Sequence, residues 1–159
     1  MLYRSTRDKT IKIESAQAIK TGLSKDGGLF VPETLPAVSS AEIEAMAHMS
    51  YGDRAVFVLS KFLTDFDLFE LKECVKNFEC VDLAYNKEKF ETDTIAPVYK
   101  LNNSVYFLEL WHGPTCAFKD MALQILPHLL TKSIQKCGSD KECVILVATS
   151  GDTGKAALE

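Results

Sequence analysis

The sequence lacks the features typical of nucleic-acid-binding and membrane proteins. Its 159 residues include 18 Lys and Arg against 22 Asp and Glu, which gives a formal net charge of −4. Because phosphate binding requires a clustered basic surface, this balance argues against a nucleic-acid partner. No uninterrupted apolar run approaches the roughly 18 residues of a membrane span, and the polar start MLYRSTRDKT is untypical of a signal peptide. We therefore expect a cytoplasmic protein with no membrane partner.

The cysteines also lack the patterns of a disulfide framework or a metal site. There are five of them, an odd number, and no two stand in a C-x-x-C pair. Without that spacing and without an export signal, we predict reduced thiols and no structural metal. The composition itself, 47% hydrophobic and 25% charged, is ordinary for a globular protein and excludes a disordered tail.

Residues 1–90 predict a small, mainly helical domain with short extended segments near Leu2–Thr6 and Leu29–Val31. A first helix is predicted to begin near Ser15, taken as its N-cap, and three more over about 40–50, 53–64 and 67–78. Ser39 and Glu42 have the spacing of a capping box at the start of the second helix. The apolar side chains of the later helices are expected to pack together: Phe57, Leu59, Phe62, Leu63, Phe66, Leu68, Phe69, Leu71, Val75 and Phe78.

Residues 91–159 have a different pattern, which indicates the start of an α/β domain. Two strands, Ile95–Lys100 and Ser104–Leu110, are predicted to form a hairpin, with the Asn102-Asn103 pair supplying a left-handed turn. A helix is predicted over about 118–136, kinked at Pro127 or losing one backbone bond there. Gly138 is expected to end it in the left-handed conformation.

The last segment predicts a buried strand and a turn into a helix. Cys143–Ala148 is a continuous apolar run, as expected for a strand covered on both faces of a parallel sheet. The polar turn Thr149–Gly154 follows, and a helix is predicted from Lys155. Strand, helix, strand and a Gly-rich turn together indicate the α/β class. Since one parallel strand cannot make a sheet, we expect the chain to be an N-terminal piece of something longer.

The turn Thr149–Gly154 is one candidate site. A glycine turn between a strand and a helix presents backbone N–H groups that bind phosphate or carboxylate, and Ser150 and Thr153 add hydroxyl groups. The alternative is that Asp152 or Thr153 only caps the helix. A nucleotide-binding P-loop is disfavoured, because Thr149 stands where that motif needs Gly and Ala156 where it needs Ser or Thr.

Lys119 is the second candidate. It is predicted in the first turn of an apolar helix, next to the end of a strand, where a lysine can become an amine nucleophile or a Schiff-base partner. The alternative is a solvated lysine whose stem covers the surface. His112 is either a base or a hydrogen-bonded spacer, whereas Cys116 has no evident base beside it in the sequence.

Four motifs carry a resemblance to one known family. They are YRSTR at residues 3–7, GLSKDGGLFVP at 22–32, LELWHGPTCAFKD at 108–120 and ATSGDTG at 148–154. In this order they closely resemble the N-terminal part of threonine synthase, a pyridoxal 5′-phosphate (PLP) enzyme of the tryptophan-synthase β-like fold. The resemblance implies an N-terminal threonine-synthase domain over 1–90. It also implies the incomplete start of a PLP-dependent fold-type II domain over 91–159.

The resemblance assigns roles to individual residues. It implies that Lys119 binds PLP covalently through an imine and that Phe118 neighbours the cofactor ring. The turn formed by Ser150, Gly151, Asp152, Thr153 and Gly154 would hold the substrate carboxylate, with Asp152 also near the ring hydroxyl. No metal site is implied.

The resemblance also implies a reaction, the conversion of O-phospho-L-homoserine and water into L-threonine and phosphate. The family continues with a Gly-rich loop that grips the cofactor phosphate, and we find no such loop here, so we expect this chain to be inactive alone. Two alternatives stay open: a threonine-synthase-like PLP-dependent phospho-lyase with another substrate, and a non-catalytic remnant acting as an interaction module. The sequence leaves the oligomeric state open, although an incomplete sheet predicts exposed apolar edges and association.

Overall fold

The computed structural model describes residues 1–76, 83–140 and 142–159, in which helices and short strands are mixed along the chain. The strands are β1 (Tyr3–Ser5), β2 (Lys12–Ile13), β3 (Phe30–Pro32), β4 (Val98–Lys100) and β5 (Tyr106–Leu108). The helices are α1 (Ser15–Thr21), α2 (Ser40–Met46), α3 (Tyr51–Phe62), α4 (Leu68–Val75), α5 (Lys87–Phe90), α6 (Asp120–Leu123), α7 (Leu126–Lys136) and α8 (Asp152–Leu158).

The N-terminal strands form a three-stranded antiparallel sheet in the order β2-β1-β3, which confirms the two predicted extended segments. The turn that leads into β3 is closed by Asp26. Its carboxylate accepts hydrogen bonds from Ser5 Oγ at 2.8 and 2.9 Å and from Gly28 N at 2.9 Å. The bonds from Gly28 and then Ser5 lower the pKa of Asp26 to about 2.

The helices predicted in the first part are confirmed, with one corrected cap. Ser39 Oγ accepts from Glu42 N at 3.3 Å and Glu42 Oε2 accepts from Ser39 N at 2.7 Å, so the capping box is present. Ser15 is not the N-cap of α1, because Glu14 holds that position with extended backbone. Ser15 is instead the first helical residue, and its hydroxyl donates to the Asp65 carboxylate.

The core lies where α7 packs against α1 and α4. Two ion pairs also join α7 to α4: Lys132 to Glu73 and Lys136 to Glu70, each at 2.8 Å. α7 belongs to the second predicted domain, whereas α1 and α4 belong to the first, so residues of both predicted domains contribute to this core. The domain boundary at residue 90 stays a prediction. The buried apolar residues that form this core are Ala16, Val56, Leu63, Phe66, Leu71, Cys74, Val75, Ala84, Tyr85, Phe90, Ile95, Ile125 and Leu129.

Two residues of the predicted apolar face were wrongly assigned. Leu68 and Phe69 are both exposed in the first turn of α4. Phe69 lies on the side of the helix away from the buried Leu71 and Val75, whereas Leu68 shares their face but stands at the first residue of the helix. Phe78 lies outside the described residues, so its prediction is not assessed.

The hairpin is confirmed and its turn is corrected. β4 and β5 pair antiparallel, with Tyr99 opposite Phe107. Neither Asn of the turn has a positive φ. Asn102 acts through its side chain instead, since Oδ1 accepts from Ser104 N at 2.9 Å and from Val105 N at 3.0 Å.

The long helix predicted over 118–136 is two helices, α6 and α7, which are separated at residues 124–125. Pro127 stands in the first turn of α7, where its missing N–H removes no helical bond, so the proline marks a helix start rather than a kink. Gly138 follows the C-cap with φ of 58°, as predicted.

The predicted buried strand Cys143–Ala148 is wrong for this structure. In the described residues 142–148 no strand is present, and Leu146 is 91% exposed. An apolar run becomes a buried strand only when neighbouring strands bond its backbone, and the described part of the chain brings none alongside. α8 begins at Asp152, three residues before the predicted start at Lys155.

Within the described residues, no helix has both the length and the apolar character needed to cross a lipid bilayer.

Candidate functional site

Lys119 lies at the N-cap of α6, after the loop that leads from β5. It is half-buried, and its Nζ lies 4.7 Å from the centroid of the Phe118 ring, close enough for a cation–π contact. The Phe118 side chain is itself 62% exposed. The prediction placed this amine at the start of a long helix, but α6 is four residues long, so the dipole of an extended helix does not act on it.

The loop before Lys119 is organised by Asp120, a residue that the sequence analysis missed. Asp120 is 0% exposed, and its carboxylate accepts from Thr115 N at 2.9 Å and from Thr115 Oγ1 at 2.7 Å. Gly113 passes so close that a Cβ there would lie 2.5 Å from Asp120 Oδ2. No local pattern in the sequence signals this burial, because it depends on how the loop and α6 pack.

A cavity of about 620 Å³ brings Lys119, Phe118 and Thr153 together. Its other lining residues are the apolar Leu110, Met121, Ala122 and Leu123, together with Tyr51 from α3, which the sequence analysis did not select. The wall is therefore mostly hydrocarbon, with the amine of Lys119 and the hydroxyl groups of Thr153 and Tyr51 as its polar side-chain groups. That composition, apolar with a few polar groups, is typical of small-molecule sites.

Tyr51 and Tyr85 connect the N-terminal helices to α6. Their rings meet edge to face with centroids 4.9 Å apart, and Tyr85 Oη donates to the Met121 carbonyl at 2.6 Å. Burial raises the pKa of both phenols above the ordinary value of 10. Both hydroxyl groups are therefore neutral donors at neutral pH.

The turn at 149–154 is closed by its own first residue. Thr149 Oγ1 accepts from Gly151 N at 3.2 Å and from Gly154 N at 2.9 Å. Gly151, the N-cap of α8, has φ of 134°, a conformation that favours glycine. Neither Asp152 nor Thr153 caps the helix, so the capping alternative in its predicted form is wrong.

The five turn residues predicted to bind substrate differ in their exposure and in whether they line the cavity. Thr153 lines the cavity with Lys119, whereas Ser150, Gly151 and Asp152 are exposed, and Gly154 is half-buried. A Cβ at Gly154 would lie 2.9 Å from Thr149 Oγ1, so the glycine allows the turn to close. The predicted roles of these residues toward substrate and cofactor stay predictions.

His112 has a hydrogen-bond partner, as expected for the alternative in which it is a hydrogen-bonded spacer and not a base. Its Nε2 lies 2.7 Å from Glu109 Oε2, and its ring stacks on Trp111 with centroids 5.7 Å apart. Cys116 is exposed and has φ of 58°, which turns the loop toward Lys119.

Comparison with known proteins gives one consistent result. Residues 2–78 match the family model of the threonine synthase N terminus. The chain is 39% identical over 158 residues to threonine synthase from Methylobacillus glycogenes, covering 99% of this chain and 33% of that protein. It is 39% identical over 145 residues to threonine synthase-like 1 from Homo sapiens, covering 90% and 18%. The crystal structure of PLP-bound threonine synthase from Brucella melitensis matches with a TM-score of 0.80 at 31% identity, covering 99% and 32%.

The fold and its lysine-bearing cavity thus define the class: the chain has the mixed α/β architecture of the N-terminal third of a family of biosynthetic enzymes. That family is threonine synthase, to which the chain belongs. The chain spans about a third of the length of the curated threonine synthases that it matches.

Proposed function

We propose that the chain supplies the N-terminal part of a PLP-dependent threonine synthase, which converts O-phospho-L-homoserine and water into L-threonine and phosphate. The observation that carries this proposal is the cavity that brings Lys119, Phe118 and Thr153 together. The match to threonine synthases over 99% of the chain supports it. Lys119 is the residue proposed to bind the cofactor.

The residues of the cavity fit one end of PLP. Its aldehyde needs a primary amine, and Lys119 Nζ is half-buried beside the flat Phe118 ring. Its ring needs apolar surroundings, and Leu110, Met121 and Leu123 line the cavity. By the family resemblance, the loop that grips the cofactor phosphate belongs to a part of the family that this chain does not match. We therefore propose that these 159 residues alone bind PLP weakly and do not turn over substrate.

The remaining roles follow from the chemistry of each group. Ser150 and Thr153 carry hydroxyl groups that would bind the substrate carboxylate together with N–H groups of the turn; those of Gly151 and Gly154 already donate to Thr149 Oγ1 and would keep the turn closed. Phe118 would neighbour the cofactor ring, and Asp152 would lie near the ring hydroxyl. In this arrangement the turn orients the substrate while Lys119 faces its reacting carbons.

Lys119 would also move protons at the substrate. As a free amine it would take and return protons at the Cα and Cβ atoms of the substrate as general base and acid. PLP, when bound, would supply an electron sink for the negative charge that develops at these carbons.

A chimeric enzyme tests the proposal. The chain would replace the N-terminal third of the Methylobacillus glycogenes threonine synthase, PLP would be added, and borohydride reduction followed by mass spectrometry would locate the modified lysine. We expect the label on Lys119, and we expect Lys119→Arg to abolish both the label and threonine formation, because guanidinium cannot form the imine. Lys100→Arg is the matched control, since Lys100 Nζ also lies over an aromatic ring, 5.7 Å from the Tyr106 centroid.

The same chimera separates the alternative functions. Threonine formed together with phosphate supports the proposal, whereas phosphate released without threonine would replace it with another phospho-lyase activity. A chimera labelled on a different lysine would contradict the assignment of Lys119.

A further inference from the structure

We propose that Asp120 is a positioning residue for Lys119. By accepting two hydrogen bonds from Thr115, its buried carboxylate fixes the loop that leads into α6 and so holds the Lys119 amine over the Phe118 ring in the cavity. The inference rests on the proposed function, because it concerns how the proposed cofactor-binding amine is held.

The burial of Asp120 is the first step of the argument. The residue is 0% exposed, and a buried carboxylate is costly unless hydrogen bonds compensate for the water that it loses. Its two acceptor oxygens are used separately: Oδ2 by Thr115 N at 2.9 Å and Oδ1 by Thr115 Oγ1 at 2.7 Å. Because the two bonds join the same two residues through separate atoms, they restrain both the distance and the orientation between Thr115 and Asp120.

The position of that link along the chain is the second step. Thr115 and Asp120 close a ring of six residues, and Phe118 and Lys119 are members of it. Within the ring, Asp120 N donates to the Ala117 carbonyl at 3.0 Å, and Cys116 N donates to the carbonyl of Gly113, just before the ring, at 3.0 Å. A closed ring limits the backbone angles of its members, so the direction of the Lys119 side chain depends on the Thr115–Asp120 bonds.

The neighbour on the other side of Asp120 is also anchored. Tyr85 Oη donates to the Met121 carbonyl at 2.6 Å, which ties the first turn of α6 to the N-terminal core. The carbonyls of Phe118 and Lys119 also accept from Met121 N at 3.2 Å and from Ala122 N at 3.0 Å, so α6 holds one end of the loop. Loss of the Thr115 bonds would free the other end, which limits the directions open to the Lys119 side chain.

Lysine reactivity measures this positioning without any cofactor. The intact chain would be treated with limiting formaldehyde and cyanoborohydride, and mass spectrometry would give the methylation rate of Lys119 relative to that of the hairpin residue Lys100. In the unaltered chain the half-buried Lys119 reacts more slowly. In Thr115→Val, which keeps the backbone N–H but loses the hydroxyl, we expect this relative rate to rise by about threefold or more. Thr115→Ser, which keeps the hydroxyl, is expected to restore the original rate.

Ser15→Ala is the matched control. Asp65 also accepts one hydroxyl, from Ser15, and one backbone N–H, from Ala16 at 2.9 Å, but it lies at the start of α1. Ser15→Ala therefore removes the same kind of bond without touching the loop, and we expect it to leave the Lys119 rate unchanged. Lys132, ion-paired with Glu73 at 2.8 Å, reports folding in every variant.

Three outcomes would overturn the inference. They are an unchanged Lys119 rate in Thr115→Val, an equal rise in Ser15→Ala, and a release of Lys132 together with Lys119, which would mean general unfolding. The proposed function is tested by a separate result. It would be contradicted if borohydride labelled a lysine other than Lys119 in the chimera. In that chimera we also expect Thr115→Val to weaken PLP binding about tenfold, with Thr115→Ser close to the original.

Discussion

At the scale of single residues, Gly113 lies where the Asp120 carboxylate leaves no room for a side chain. A Cβ at this position would lie 2.5 Å from Oδ2 and 2.6 Å from Cβ of Asp120. We expect Gly113→Ala to lower the free energy of unfolding by about 1–3 kcal/mol, because the buried carboxylate must move and its bonds to Thr115 must stretch. Urea unfolding followed by circular dichroism measures this change.

Gly138→Ala gives the comparison for that prediction. No atom lies within 4 Å of a Cβ built at Gly138, but its φ is 58°, so the cost there comes from the backbone alone. That cost is about 1 kcal/mol. If Gly113→Ala destabilised the chain no more than Gly138→Ala does, the close contact with Asp120 would not be a packing constraint.

The site residues that the sequence predicted are those with a local signal. Lys119 and Thr153 stand in short patterns, a lysine near a helix start and a glycine turn, and the family resemblance decided between the alternatives that these patterns left open. The structure places both residues on one cavity. Asp120 and Tyr51 could not be selected in this way. Asp120 matters because it is buried, and Tyr51 reaches the cavity from α3, and both properties depend on how distant segments pack.

At the scale of elements, Glu42 joins α2 to α3. It closes the capping box with Ser39, and its Oε1 accepts from Lys61 of α3 at 2.7 Å. The hydrogen bond from Lys61, followed by those from Ser39, lowers the pKa of Glu42 to about 2 from the ordinary 4.5. Since the pKa is lower in the folded chain, this carboxylate stabilises the fold above about pH 4.5, and the contribution is lost as the pH falls toward 2.

We therefore expect the urea midpoint to fall between pH 5 and pH 2, and to fall less steeply in Glu42→Gln, which has no carboxylate to protonate. Glu44→Gln on the same helix is the control and should follow the unaltered chain. Equal slopes for Glu42→Gln and the unaltered chain would show that the links to Ser39 and Lys61 do not contribute to acid sensitivity.

Elements fixed by local interactions were predicted well, and those that need distant partners were not. The N-caps of α2, α3 and α4 lie within a few residues of the helices that they start, so the positions of these helices follow from the sequence. The start of α7 also has a local signal, Pro127, which was interpreted as a kink instead. The run 143–148 is different, because it would become a strand only beside neighbouring strands, and the local pattern does not show whether they are present.

At the scale of the whole molecule, large apolar side chains are exposed in the hairpin and in the run 143–148. Val98, Leu108, Val144 and Ile145 are each more than half exposed, and Leu146 is 91% exposed. Apolar segments with unpaired backbone groups associate with other chains because both the side chains and the N–H and C=O groups gain partners. We expect self-association that grows with concentration.

Leu146→Lys tests whether the 143–148 run causes this association. A charge in the middle of an apolar segment opposes strand pairing between chains, so sedimentation velocity should show a larger monomer fraction at the same concentration. Leu35→Lys is the matched control, because Leu35 is 82% exposed and lies outside the run. Both variants remove one exposed leucine and change the net charge by the same single unit. An equal increase in monomer for both would therefore assign the association to net charge, whereas an increase confined to Leu146→Lys would assign it to the 143–148 run.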